Sequence, residues 1–279
     1  VKKPSCSLLV VILILYYTIG VNAAERHAVP KEHPRLFGNT AELKTLAEKR
    51  PQEYQRMKAV AQSSNADGYA RMMSISLVNA VEPDAALARQ AVDLAMKRIN
   101  APIITGHAPF GSVLAECAVV YDYCYAQWKP EERAKFIDYF NRTVAANVKE
   151  ERSPFHNGWY GYKNWGYGLA AYATYYENPE SPKLLKAIEK EFIERAAPSL
   201  ELSGDGGGFA EGYYINYWIY EWTVFCNAAL RCEGVDYFAM APKGFRRKVP
   251  CRYFRYWSSV HRVKLLYFFQ KYSFMEEVM

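Results

Sequence analysis

Two short stretches of the sequence gather the side chain types that could handle a polyhydroxylated ligand. The first is Phe155-His156-Asn157-Gly158-Trp159-Tyr160-Gly161-Tyr162-Lys163-Asn164-Trp165-Gly166-Tyr167-Gly168. The second is Gly204-Asp205-Gly206-Gly207-Gly208-Phe209-Ala210-Glu211-Gly212-Tyr213-Tyr214-Ile215-Asn216-Tyr217. Glycine lets a backbone approach closely, and aromatic planes stack on apolar faces such as those of a sugar ring. Amides and carboxylates add directional hydrogen bonds to hydroxyl groups. On composition alone each stretch has two readings: the wall of a carbohydrate cleft, or a glycine-rich connection between helices flanked by core aromatics. Asp205 and Glu211 are the only obvious pair of carboxylates, the requirement for hydrolysing a glycosidic bond.

Helices must position both stretches, because helix signals recur along the chain. Asn39 stands three residues before Glu42, a capping-box spacing, ahead of Leu43, Leu46 and Ala47. Asp84 can cap a helix in which Leu87, Ala91, Leu94 and Ala95 share a face. Residues 113–128 are apolar enough to be buried on most sides. Pro130 and Pro182 suit first-turn positions of two amphipathic segments. Phe136, Tyr139 and Phe140 mark the stripe of one, and Leu184, Leu185, Ile188 and Phe192 that of the other. A long helix is expected from about Glu211 to Cys232. Strand patterns are nearly absent before residue 240, and short connections imply antiparallel hairpins. The fold class is all-α, with bundle, solenoid and α/α toroid left open by periodicity.

Composition bounds the remaining possibilities. Lys2 and Lys3, an apolar run over 8–19 and small residues at 21–24 follow the plan of a secretory signal peptide. The expected location is periplasmic or secreted, without stable membrane insertion after cleavage. The formal charge of +6 is concentrated beyond Ala241, where nine Lys and Arg face two Glu. The rest holds 26 basic and 27 acidic residues, so its net charge of −1 does not point to a polyanion. Residues 241–279 form a basic, aromatic tail without a nucleic-acid motif, read here as a truncated or frame-shifted end, and no nucleic-acid partner is expected. Five cysteines lie outside the leader without CxxC spacing, which argues against a disulfide framework or zinc cluster.

Five motifs in order add a resemblance. His33-Pro34-Arg35-Leu36-Phe37 opens the series, and Val120-Tyr121-Asp122-Tyr123-Cys124-Tyr125 with Lys129-Pro130-Glu131-Glu132 looks like a "VYDWCY…KPEE" stretch. Asn157-x-Trp159 with Asn164 is similar to an "NNW…CNGG" signature, and Asp205-Gly206-Gly207 with Glu211-Gly212 and its tyrosines to "DG…EGxxYxxY". Gly234-Val235-Asp236-Tyr237-Phe238 matches the exit from the helix that follows. Over residues 30–240 the sequence resembles the heparinase II/III family of polysaccharide lyases.

The resemblance implies an N-terminal α/α toroid (residues 25–240), a β-sandwich domain that the chain is expected to lack, and β-elimination on a uronic-acid polysaccharide without a cofactor. Removing the C5 proton of a uronate builds charge on its carboxylate, which amide, imidazole or guanidinium donors must stabilise. By resemblance, Asn157 and Asn164 recognise that carboxylate, and His156 matches a histidine of the heparinase II branch. Tyr214 is the first candidate for acid/base and Tyr217 the second, although the family spacing places tyrosine at Ile215 and the second asparagine of the signature is Gly158. Trp159 and Lys163 line the cleft, and Glu211 caps its helix or binds a hydroxyl. No metal is expected. A glycoside hydrolase using Asp205 and Glu211, and a carbohydrate-binding remnant without activity, are the alternatives.

Overall fold

The structure, a computed structural model, describes residues 26–66, 68–106, 109–147, 153, 155–204 and 215–246. At 109, 157–162, 204, 215–220 and 246 it describes the backbone alone. The described residues form helices and connections, with no strand among them. The signal-peptide reading and nearly all of the basic tail lie outside these residues.

The helix starts follow local chemistry. Helix α1 (Thr40–Lys49) carries the capping box: Asn39 Oδ1 accepts from the Glu42 amide at 3.0 Å, and Glu42 Oε2 accepts from the Asn39 amide at 2.9 Å. Helix α2 (Pro51–Gln62) opens on proline, and α3 (Gly68–Val81) follows. Asp84 caps α4 (Ala85–Ile99) by accepting from the amides of Ala86 and Leu87. The buried face of α4 is Ala88, Ala91, Val92, Ala95 and Ile99, with Leu87 and Leu94 at its margin. Helix α5 (Pro109–Tyr123) is buried along almost its whole length and passes into a 3-10 turn, Tyr125–Gln127. Helix α6 (Pro130–Asn147) buries the Phe136–Tyr139–Phe140 stripe.

Helix α7 (Asn157–Ala173) is followed by α8 (Ser181–Glu191), a π turn (Phe192–Ala196) and α9 (Ala197–Gly204). Proline within a helix clashes with the carbonyl four residues back. For Pro198 that carbonyl belongs to Glu194, inside the widened π turn. Helix α10 (Ile215–Glu233) and two short helices, α11 (Tyr237–Met240) and α12 (Pro242–Arg246), complete the described chain. Phe245 packs against Trp222 and Phe238, so the core runs on past residue 240.

Helices α3, α5, α7 and α10 form one row in which each packs on the next, while α4 packs against α6 alongside. Neighbours in the row run parallel. Gly166 of α7 lies against Gly111 of α5, and further along both helices Arg35 joins Asp122 to Ala173. Gly168 lies against Phe225 of α10, and later on both helices Tyr172 donates to Glu233 at 3.3 Å. A Cβ on Gly166 would come within 2.4 Å of the Gly111 α-carbon, and one on Gly168 within 2.1 Å of the Phe225 ring. These two glycines of the first polar–aromatic stretch therefore serve helix packing, and Trp165 and Tyr167 beside them are core residues.

The segment from Arg26 to Asn39 straps the far ends of this row. Asp122, on the last turn of α5, accepts from the amides of Arg35 and Leu36 at 2.8 and 2.9 Å and from His33 Nδ1 at 2.6 Å. His33 Nε2 lies 3.3 Å from Glu177, and the His33 ring stacks on Tyr125 at 3.9 Å. The buried Arg35 guanidinium donates to both Glu177 oxygens and to the carbonyls of Lys31 and Ala173. Tyr123 Oη accepts from the Phe37 amide and donates to the Gly38 carbonyl. Burial disfavours a charged Glu177, yet its bonds to His33 and Arg35 win and hold its pKa down at about 2. Two of the motifs that carry the family resemblance thus meet as one structural lock.

Candidate functional site

Because α5, α7 and α10 run parallel, their N-termini share one end of the row. The chain enters α7 through His156 and Asn157, and the described part of α10 begins at Ile215. Helix N-termini carry partial positive charge and unpaired amides, an environment suited to an anion.

Asn164, two turns into α7 and near its middle, is the polar residue that stands out on this helix. It sits on α7 one turn before Gly168, on the stripe that meets α10, and is 0% exposed. Neither its Nδ2 nor its Oδ1 has a hydrogen-bond partner among the described residues. An amide buried without partners costs roughly 1–3 kcal/mol on mutational scales, so such a group calls for a functional explanation. On α10, Glu221 stands one turn before Phe225, matching the step from Gly168 back to Asn164, and is buried at 2% exposure. The sequence signal for Glu221 was a lone carboxylate in the apolar run Trp218–Phe225.

Lys163 is held in an ion pair with Glu191 of α8 at 2.5 Å, with 15% of its side chain exposed. Its partner comes from the next helix of the fold, which composition could not disclose. Tyr167, one turn further along α7, buries a hydroxyl with no partner among the described residues. Burial, followed by the nearby Glu191 carboxylate, pushes its pKa up, which keeps the phenol neutral. His156 occupies the N-cap position of α7 and is exposed, with its amide donating to the Ser153 carbonyl at 2.8 Å.

The backbone of Asn157 and Trp159 lies in the first turn of α7 and that of Tyr217 in the first turn of α10. Tyr214, Glu211 and Asp205 lie outside the described residues, as does the expected start of the last long helix at 211. The structure thus brings His156, Asn157, Trp159, Lys163, Asn164 and Tyr217 onto two adjacent parallel helices. Among the described residues no three His, Cys, Asp or Glu side chains gather as a metal site.

An open groove of about 1170 Å³ lies elsewhere, between the N-terminal strap, α1 and α10. Its α10 wall runs from Val224 to Arg231, and none of the residues singled out for chemistry lines it. Arg231 and Glu42 form an ion pair between α10 and α1 beside it. A scan against known protein families matches no family model, and a search of curated proteins finds no match.

Proposed function

We propose that the chain is the α/α-toroid portion of a polysaccharide lyase that cleaves uronic-acid polymers by β-elimination. The row of parallel helices forms the inner wall of the toroid, α2, α4, α6 and α8 form the outer wall, and the cleft opens where α5, α7 and α10 begin. The observation that carries the reading is Asn164: a fully buried amide with both polar atoms unsatisfied among the described residues, on the stripe of α7 that meets α10. A uronate carboxylate reaching Asn164 would accept from its Nδ2, a bond that strengthens as charge grows on the carboxylate when C5 loses its proton.

Asn157, seven residues before Asn164 on α7, extends the same stripe toward the helix start and would complete the carboxylate contact. Tyr214 or Tyr217 serves as acid toward the leaving oxygen and as base toward C5. An unperturbed tyrosine near pKa 10 needs neighbouring positive charge for the second task. By the resemblance, His156 at the N-cap of α7 is the histidine brought to this site. Lys163, neutralised by Glu191, positions α8 against α7 rather than acting as a free cation.

The test is the ultraviolet absorbance of the unsaturated product, read for the unmodified protein and for Tyr214→Phe and Tyr217→Phe. Loss with one variant assigns the acid/base, and full activity in both removes tyrosine from the mechanism. Hydrolysed products lacking the new double bond would favour a glycosidase. Saccharide binding by calorimetry without turnover would leave only the recognition half of the proposal.

A further inference from the structure

Both ring nitrogens of His33 face carboxylates, Asp122 at 2.6 Å and Glu177 at 3.3 Å. A neutral imidazole carries one N–H, so only the imidazolium can donate to both at once. The ring is mostly enclosed, with 10% of its side chain exposed, and has no nitrogen left over for catalysis. We propose that His33 is a proton-operated latch on the strap, residues 26–39, that pins its Arg35–Leu36 stretch against the ends of α5 and α7 and loosens that stretch as the solution turns alkaline.

The strap is also tied by the His27 amide on the Glu233 carbonyl, Tyr176 Oη on the Val29 carbonyl, Tyr123 Oη between Phe37 and Gly38, and the buried Val29 and Leu36, so His33 governs only the stretch around Arg35 and Leu36. The Arg35 and Leu36 amides hang on Asp122, the acceptor His33 shares, and Arg35 reaches Glu177, the other carboxylate His33 bridges. Losing one N–H of His33 therefore leaves one of these two carboxylates a donor short in a mostly enclosed site, which disfavours the closed arrangement that holds the strap backbone and guanidinium. The charges facing the ring are Asp122 from α5, Glu177 from the turn after α7 and Arg35 from the strap itself. Tyr121 stands edge-on to it and Tyr125 is stacked on it, with Arg133 of α6 over the far face of Tyr125. Burial favours the neutral ring and Arg35 adds to that, but the bonds to Asp122 and Glu177 outweigh both, so the pKa of His33 is raised. The sign follows: the closed strap binds the proton more tightly than the open one. The latch is fully engaged below the ordinary histidine pKa and is lost as pH climbs through the raised value. His33, Arg35 and Leu36 also line the groove beside α1, so loosening this stretch changes the shape of that groove.

Hydrogen exchange of the strap, corrected for the intrinsic rate at each pH, tests this. Protection of the Arg35 and Leu36 amides is expected to fall by up to about tenfold per pH unit between the ordinary and raised values, while the middle of α5 holds steady. His33→Gln should flatten that slope, and His27→Gln, at an exposed histidine outside the latch, should leave it unchanged. If His33→Gln does not fold, an NMR titration of His33 in the unmodified protein decides. A midpoint at or below the ordinary histidine value, or protection independent of pH, overturns the proposal. Survival of the full slope in His33→Gln overturns it as well.

Discussion

Asn164 and Asp122 are both buried on central helices, and their fates on mutation should be opposite. Asp122 satisfies two strap amides and His33, so Asp122→Ala strands buried donors and should cost about 3–5 kcal/mol, read as a lower midpoint in denaturant. Asn164 satisfies nothing among the described residues, so Asn164→Leu should be neutral or stabilising by about 1–3 kcal/mol. If Asn164 recognises the substrate carboxylate, the same change should lower turnover by about 10²–10³. A marked loss of stability on Asn164→Leu would mean that the amide is structural. Sequence reading picked Asn164 by resemblance but could not foresee its burial, because burial depends on α10 arriving from about 60 residues further along.

The helices show which signals are local and which are not. The Asn39–Glu42 box and the Asp84 cap were readable because donor and acceptor lie within three residues of each other. The roles of Gly166 and Gly168 were not, since the atoms they make room for belong to α5 and α10. Gly166→Ala sets a methyl against the backbone of Gly111, which cannot swing aside, and should cost about 1–3 kcal/mol or more by thermal unfolding. If Gly166→Ala unfolds at an unchanged midpoint, the close crossing of α5 and α7 is wrong. His33-Pro34-Arg35 and the Tyr121–Tyr125 stretch looked like two separate family marks. In the fold they are the two halves of one fastening.

For the whole molecule, helix content was legible from periodicity, while the ordering of helices into a row with parallel neighbours needed the tertiary contacts. That ordering puts the starts of α7 and α10 at one end and the strap at the other, so recognition and the His33 latch are separable. His33→Gln should therefore leave product formation at neutral pH close to that of the unmodified protein while changing strap exchange. Conversely, Asn164→Leu should lower turnover by about 10²–10³ without altering the pH profile of the strap. The most direct test of the lyase assignment is an ultraviolet absorbance screen of the unmodified protein and Asn164→Leu against a panel of uronic-acid polymers. The account predicts that at least one polymer yields unsaturated product with the unmodified protein and that the yield collapses with Asn164→Leu. Absence of that product from every polymer, or equal yields from the two proteins, would contradict it.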